Sequence, residues 1–229
     1  MRILIIIPAF NEGENIKRVV ENLQKNYPQY DYVVVNDGSN DDTPFVCREN
    51  AYNLIDLPAN LGLAGAFQTG MKYAWRKKYD AALQFDGDGQ HRPEYIEKMI
   101  STMEKGQYDI VIGSRFVEQN KPFTLRMLGS RLISFLILLT TFHHIKDPTS
   151  GMRLYGKSVL SEYANNLSYS PEPDTLAYLI NRRCKVAEVQ VKIDDRIAGT
   201  SYLNFINSIH YMIKMCISIV FIQWFRKRK

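Results

Sequence analysis

The chain has 229 residues, 45% of them hydrophobic and 23% charged, with a net charge of +5; this suits one folded domain with a sizeable core and excludes a disordered or low-complexity protein. Its three cysteines, Cys47, Cys184 and Cys216, lie far apart without metal-ligand spacing, which argues against a disulfide framework and suits a reducing compartment. Residues 1–123 carry 14 Lys and Arg against 17 Asp and Glu, and residues 124–229 carry 15 against 7, so the second half faces something anionic: nucleic acid, a membrane surface or a phosphorylated substrate.

Arg2 to Ile7 reads as a buried parallel strand. Its aliphatic run ends at Pro8 and is too short for a signal peptide, so a cytoplasmic location is expected. Asn11 with Glu14 resembles a capping box for a helix from about Glu12 to Lys25. Tyr32 to Val35 is a second strand and ends in the polar turn Asn36 to Thr43. Asn53 to Leu57 is a third, Asn60 to Ala66 opens a helix to about Lys78, and Ala81 to Phe85 is a fourth strand. Pro93 starts a helix to Lys105, and Asp109 to Arg115 is a fifth strand. Strands alternating with helices predict an α/β fold with a mostly parallel central sheet flanked by helices. In such sheets ligands bind beyond the carboxyl ends of the strands, which places Asn11/Glu12, Asp37, Asp86/Asp88 and Ser114/Arg115 on one rim.

Asp86-Gly87-Asp88 follows the fourth strand directly. Carboxylates at i and i+2 on a strand end point the same way and repel unless a cation sits between them. Oxygen-only ligands suit Mg²⁺ or Mn²⁺, with open positions for water and substrate phosphates. The plain alternative is a Gly/Asp-rich turn.

Pro8-Ala9-Phe10-Asn11-Glu12, Val35-Asn36-Asp37-Gly38-Ser39, Asn60-x-Gly62, Asp86-x-Asp88-x-Gln90-His91 and Gly113-Ser114-Arg115 resemble the successive signatures of family 2 glycosyltransferases of the GT-A (Rossmann-like, nucleotide-binding) fold. Asp147-Pro148-Thr149-Ser150-Gly151-Met152-Arg153, Glu172-Pro173-Asp174 and Arg196-x-x-Gly199-x-Ser201 are similar to the polyprenyl-phosphate hexosyltransferases of the dolichyl-phosphate mannose synthase type. Met152 and Asp174 stand where that group more often has Phe and Glu.

The resemblance implies an inverting, metal-dependent transfer of a hexose from a nucleoside diphosphate sugar, UDP or GDP, to a polyprenyl phosphate. It implies that Asp86, Asp88 and Gln90 hold the ion. Asp37 would take the ribose or base, with Pro8, Ala9 and Glu12 walling the same pocket. Asp88, Arg115 and Arg131 are the catalytic candidates. Arg115, beside Ser114, would bind phosphate through its planar fork, and Arg131, on a helix beginning near Thr124, is a second candidate for the acceptor phosphate. Ser150 and Arg153 match acceptor-side residues, and Arg196 to Ser201 looks like a loop closing over the diphosphate. Lys192 reads as a solvated strand charge.

A sugar hydroxyl must lose a proton as it attacks, whereas a phosphate monoester is already ionised. Glu172, Asp174 and Asp147 do not follow the superfamily's usual base pattern, which favours a phosphate acceptor. His91, His143 and His144 read as loop and helix-end residues. The alternatives are transfer to a hydroxyl of a lipid-linked saccharide and a non-catalytic nucleotide-sugar or nucleic-acid binder. The basic half lacks aromatics interleaved with Lys and Arg, so no nucleic-acid partner is expected.

Leu132 to Phe142 and Met215 to Phe225 are each 11 residues without charge, short of the about 20 needed to span a bilayer. Asn204, Asn207, Ser208, Tyr211, Lys214 and Ser218 form a narrow polar stripe on a helix that is otherwise apolar. Residues 1–201 are therefore expected to form the catalytic domain, and 202–229 an amphipathic helix with a basic tail. That helix would lie on the inner face of the cell membrane, a peripheral contact, or be buried against the domain or in a homo-oligomer.

Overall fold

The computed structural model describes residues 1–166, 169–194 and 205–222. Seven strands, β1 (Ile3–Ala9), β2 (Asp31–Asn36), β3 (Leu54–Asp56), β4 (Ala81–Gln84), β5 (Ile110–Ser114), β6 (Arg153–Gly156) and β7 (Val186–Gln190), form one sheet in the order β3-β2-β1-β4-β6-β5-β7. All neighbours are parallel except β6, which runs antiparallel to both β4 and β5. The first five strands are those expected. β6 and β7 are additional: β6 has four residues and opens on an arginine, and β7 is a mostly half-buried strand without an aliphatic run.

The aliphatic run of β1 serves two cores. Ile3, Ile5 and Ile7 pack against α1 (Gly13–Asn26) and α4 (Ile96–Gly106); Leu4 and Ile6 face α3 (Gly62–Arg76) on the other side. Side chains alternate across a strand, so a strand covered on both faces must be apolar throughout. Helix α3 crosses β1 so closely that a Cβ on Gly70 would lie 2.3 Å from Ile6 Cγ2. The chain runs β1–β2–β3 in one direction from the centre, then returns to place β4 on the opposite side of β1. That reversal opens a crevice at the carboxyl ends of β1 and β4.

The expected capping box is not formed. Asn11 sits at φ 56° with its Oδ1 accepting from the Asn40 N–H at 3.0 Å, and α1 begins after Glu12 without a side-chain cap. The side chain that would have capped α1 instead ties the β1 end to the turn following β2.

Helices α2 (Thr43–Glu49) and α6 (Lys157–Asn165) complete the flanks. On the α3 side, α5 (Leu125–Thr141), capped by the Thr124 hydroxyl, packs with α7 (Pro173–Asn181) and α8 (Phe205–Ile217), which a π-helical turn continues to Ile222. Met215 and Ile219 join the core. Two members of the polar stripe point inward: the Tyr211 hydroxyl donates to Glu172, and Ser218 Oγ donates to Asp174 at 2.6 Å. Ile213, Ile217 and Phe221 are left exposed, as are Leu128, Leu132, Phe135 and Leu139 on α5. No helix among the described residues is long and apolar enough to cross a membrane.

Candidate active site

The crevice between β1 and β4 is walled by the end of β1. Pro8 and Ala9 are the last residues of that strand, and buried Glu12 is held by its own N–H to Thr43 Oγ1 at 2.9 Å and by Asn15 Nδ2 to its Oε2 at 2.8 Å. The Asp37 N–H donates to the Ala9 carbonyl at 2.9 Å, and its Oδ1 accepts from the Leu61 N–H at 2.8 Å. Asp37 thus joins β1 and β2 to the start of α3, where a carboxylate is favoured by unpaired amides. Burial raises its pKa, against the pull of the Leu61 and Gly62 amides. Gly38 (φ 64°) lets the Ala59–Asn60 backbone approach, since a Cβ there would lie 2.6 Å from the Ala59 carbonyl carbon.

Beyond β4 the chain turns through Asp86, half-exposed, and Asp88, buried. Asp88 Oδ1 accepts from the Gln90 N–H at 3.0 Å. Gln90 is fixed from the other side: its Nε2 donates to the Asp194 carbonyl at 3.1 Å and its carbonyl accepts from the Asp194 N–H at 3.0 Å. The nitrogen end of the amide is therefore occupied, and Oε1 is the atom that a metal would take. Arg92 Nε holds the Asp194 carboxylate at 2.8 Å. Two carboxylates and an amide oxygen form a hard donor set that fits Mg²⁺ or Mn²⁺. No group of three or more His, Cys, Asp or Glu among the described residues is placed to hold a metal; Asp86, Asp88 and Gln90 would hold one only with further oxygens from substrate or water.

On the far side of the sheet, Arg115 follows β5. Its Nε and Nη2 grip the two oxygens of fully buried Asp147 at 2.7 and 2.8 Å, and its N–H adds a third bond at 3.0 Å. Burial acts against the Asp147 charge, but the hydrogen bonds and charge of Arg115 outweigh it and hold the carboxyl below the usual range. The turn is anchored twice more: Glu188 of β7 accepts the Lys146 and Asp147 N–H groups at 2.7 and 2.8 Å, and buried Arg153 Nε donates to the Ser150 carbonyl at 2.9 Å.

Arg131 of α5 does not reach this pair among its resolved bonds. Its guanidinium donates to the Lys121 and Pro122 carbonyls and lies 4.3 Å over the Phe123 ring. Lys121 Nζ donates to Ser130 and Ser134 at 3.0 and 3.1 Å, and burial lowers its pKa, partly offset by Asp147. Lys121, Arg131 and Lys146, with Phe116, Phe123 and Phe135, line a cavity of about 750 Å³. Cationic and aromatic walls in one cavity suit an anion carrying an apolar group.

A model of glycosyl transferase family 2 matches residues 4–164. The chain belongs to that family. Among its relatives, UDP-N-acetylglucosamine–dolichyl-phosphate N-acetylglucosaminyltransferase of Methanococcus voltae is 33% identical over 214 residues, covering 83% of this chain and 84% of that protein. Polyprenol monophosphomannose synthase of Mycolicibacterium smegmatis is 28% identical over 228 residues, covering 93% and 85%. Glucosyl-3-phosphoglycerate synthase from Mycobacterium tuberculosis, solved with Mn²⁺, UDP and phosphoglyceric acid, superposes with a TM-score of 0.70 at 16% identity, covering 97% of this chain and 78% of that one. The expected GT-A fold is therefore the one found.

In the glycosyltransferase Pro8, Ala9, Glu12, Asp37, Asp86, Asp88 and Gln90 lie at or just beyond the carboxyl ends of the neighbouring strands β1, β2 and β4, Arg115 follows β5, and Arg131 lies on α5. Arg196 and Ser201 lie outside the described residues. Two residues stand against the Asp86–Gln90 turn: His91, read from the sequence as a loop residue and buried beside Asp86, and Asp194, given no role in the sequence, which fixes Gln90. The position of His91 in the Asp86-x-Asp88-x-Gln90-His91 signature was the available signal for the first. Asp194 carried none, being distant in sequence from the turn it supports.

Proposed function

We propose that this glycosyltransferase moves a hexose from a nucleoside diphosphate sugar, UDP- or GDP-linked, to the phosphate of a polyprenyl lipid, with inversion, at the inner surface of the cell membrane. The observation that carries the reading is that the open oxygen-donor turn Asp86–Gln90 lies at the sheet's switch point, while the same enzyme carries a cavity walled by Lys121, Arg131 and three phenylalanines. The names of the two relatives support a polyprenyl-phosphate acceptor.

Asp86, Asp88 and Gln90 would hold Mg²⁺ or Mn²⁺, which when bound supplies Lewis-acid stabilisation to the departing diphosphate. Pro8, Ala9 and Glu12 wall the nucleotide pocket, and Asp37, fixed by Leu61, offers a carboxylate to ribose or base. Arg115 spends Nε on Asp147 and Nη2 on Asp147 and Thr149, so Nη1 is the part that a phosphate would take. Arg131 and Lys121 add positive charge where the acceptor phosphate would rest. That phosphate is ionised near pH 7 and attacks without a base. The exposed apolar faces of α5 and α8 support a peripheral membrane contact that brings a lipid acceptor to the cavity.

Incubation with labelled UDP- and GDP-sugars, Mn²⁺ and undecaprenyl phosphate tests this reading. A mild-acid-labile monoglycosyl lipid is expected, and Asp88→Ala should abolish it while leaving the fold intact. Product formed only on a hydroxyl acceptor, or undiminished by Asp88→Ala, would overturn it.

A further inference from the structure

We propose that His91 is a positioning residue that fixes the carboxylate of Asp86 for its metal, with the bare Cα of Gly151 packed against both side chains. The inference rests on the metal reading of Asp86–Gln90 and adds to it the residues that set one ligand's orientation.

Both ring nitrogens of His91 address one residue. The Asp86 N–H donates to His91 Nδ1 at 2.9 Å, and His91 Nε2 lies 3.4 Å from Asp86 Oδ2. Because Nδ1 accepts, the neutral ring carries its proton on Nε2, so an N–H faces the carboxylate. The ring has little freedom to turn away. His91 is 5% exposed, packs edge-on against Phe85 with centroids 5.4 Å apart, and its backbone forms a bridge with Ile193.

Gly151 adjoins both groups. A Cβ at this position would lie 3.0 Å from Asp86 Oδ2, 3.4 Å from Oδ1 and 3.4 Å from His91 Cε1. A side chain there would make the carboxylate or the ring give way by a few tenths of an ångström. Asp86 is thereby held in one setting before an ion arrives, which is how outer residues raise the affinity of a ligand set. The geometry also explains why His91 is no general base: its nitrogens are turned to Asp86 and the ring is buried.

The test is Mn²⁺ binding to the UDP-loaded protein, followed by the electron paramagnetic resonance signal of free Mn²⁺, with unfolding temperature measured alongside. His91→Phe, which keeps the ring against Phe85, and Gly151→Ala should each weaken Mn²⁺ binding about 10- to 100-fold. His91→Gln, whose amide nitrogen can reach the Nε2 position, should retain affinity within about threefold, as expected when one hydrogen-bond donor replaces another. Metal-free Gly151→Ala should unfold close to the wild-type temperature while binding Mn²⁺ more weakly, a combination that a purely structural role would not produce; His91→Phe, which also leaves the Asp86 N–H without its acceptor, should unfold somewhat lower. Should His91→Phe fail to fold, Gly151→Ala decides, since it disturbs the same oxygen while leaving the imidazole in place. Wild-type affinity in both His91→Phe and Gly151→Ala, with binding lost in Asp88→Ala, would overturn the inference and leave the metal reading standing. Absence of Mn²⁺ binding by the wild type would overturn the metal reading and the inference with it.

Discussion

Asp147, which has no exposed surface, receives three hydrogen bonds from Arg115: two from the guanidinium and one from the backbone N–H. Residues 32 positions apart are joined so that the end of β5 and the Asp147–Ser150 turn move as one. Removing one partner of a buried pair leaves an uncompensated charge, so Arg115→Met should destabilise the fold by about 3–5 kcal/mol at neutral pH. The sign of the pH dependence follows from the lowered Asp147 pKa. Its stabilisation is fully present above the usual aspartate value of about 3.9 and is lost as pH falls through the folded-state value. Urea denaturation should therefore show the Arg115→Met deficit at pH 7 and a smaller one below about pH 4, where the variant's Asp147 is protonated. Equal stability of variant and wild type at pH 7 would contradict this account.

The clasp between Arg92 and Asp194 supports a second part of the turn proposed to hold the metal. It is solvent-exposed and contributes little to stability. Its effect is expected on Gln90, because the backbone of Asp194 is what holds the Gln90 amide. Asp194→Asn and Arg92→Gln should weaken Mn²⁺ binding up to about tenfold with almost no change in unfolding temperature. The exchanged pair Arg92→Asp with Asp194→Arg should recover part of that loss, as measured by Mn²⁺ titration in the presence of UDP. A double variant no better than either single one would show that the clasp does not position Gln90.

The contrast between Gln90 and Asp194 shows what the sequence could reveal. Strands β1, β2, β4 and β5 were legible because burial on both faces demands unbroken aliphatic runs, and the rim residues followed from the strand ends. β6 was not: Arg153 opens it, and a charged residue argues against a buried strand unless its partners are known. Those partners are backbone carbonyls of the preceding turn, Pro148 and Ser150. Asn11 was read as a helix cap because its local spacing fits one, yet a contact with Asn40, distant in sequence, took the side chain. The polar stripe of α8 was visible as a pattern, but the buried acids it meets on α7 come from another segment. Long-range pairing is what local pattern does not encode.

Those acids lead to the third prediction. Burial raises the pKa of Glu172, opposed by the hydrogen bond from Tyr211 and the charge of Arg153. Tyr211→Phe leaves that carboxylate short of a donor and should cost about 1–3 kcal/mol, with Ser218→Ala acting alike on Asp174. A folded-state pKa above the unfolded value means that the Glu172 contribution is complete below the usual glutamate value of about 4.3 and declines as pH rises through the folded one. Glu172→Gln, which imitates the protonated acid, should flatten this dependence. Hydrogen exchange over 205–222, compared at pH 5 and pH 8 after correction for intrinsic rates, reads the docking of α8 directly. Unaltered exchange in Tyr211→Phe would show that the hydroxyl does not hold the helix.

The inward turn of Tyr211 and Ser218 leaves Ile213, Ile217 and Phe221 in water, beside a face of α5 that exposes Leu132, Phe135 and Leu139. Such apolar exposure is costly for a protein that stays in water and useful for one that rests on lipid. Burying a large aliphatic or aromatic side chain contributes about 1.5–3 kcal/mol, less for a residue already half covered. The triple variant Ile213→Ser, Ile217→Ser, Phe221→Ser should thus lose at least about 3 kcal/mol of membrane affinity, roughly a hundredfold in partition. Unfolding temperature should change little, because Met215 and Ile219, not these three, fill the core. Co-sedimentation with anionic liposomes measures the partition, and analytical ultracentrifugation separates lipid from a second copy of the chain as the occupant. Loss of liposome binding in a protein that is monomeric before and after substitution supports the membrane. A wild-type dimer that dissociates in the variant, with unchanged liposome binding, assigns the face to self-association instead.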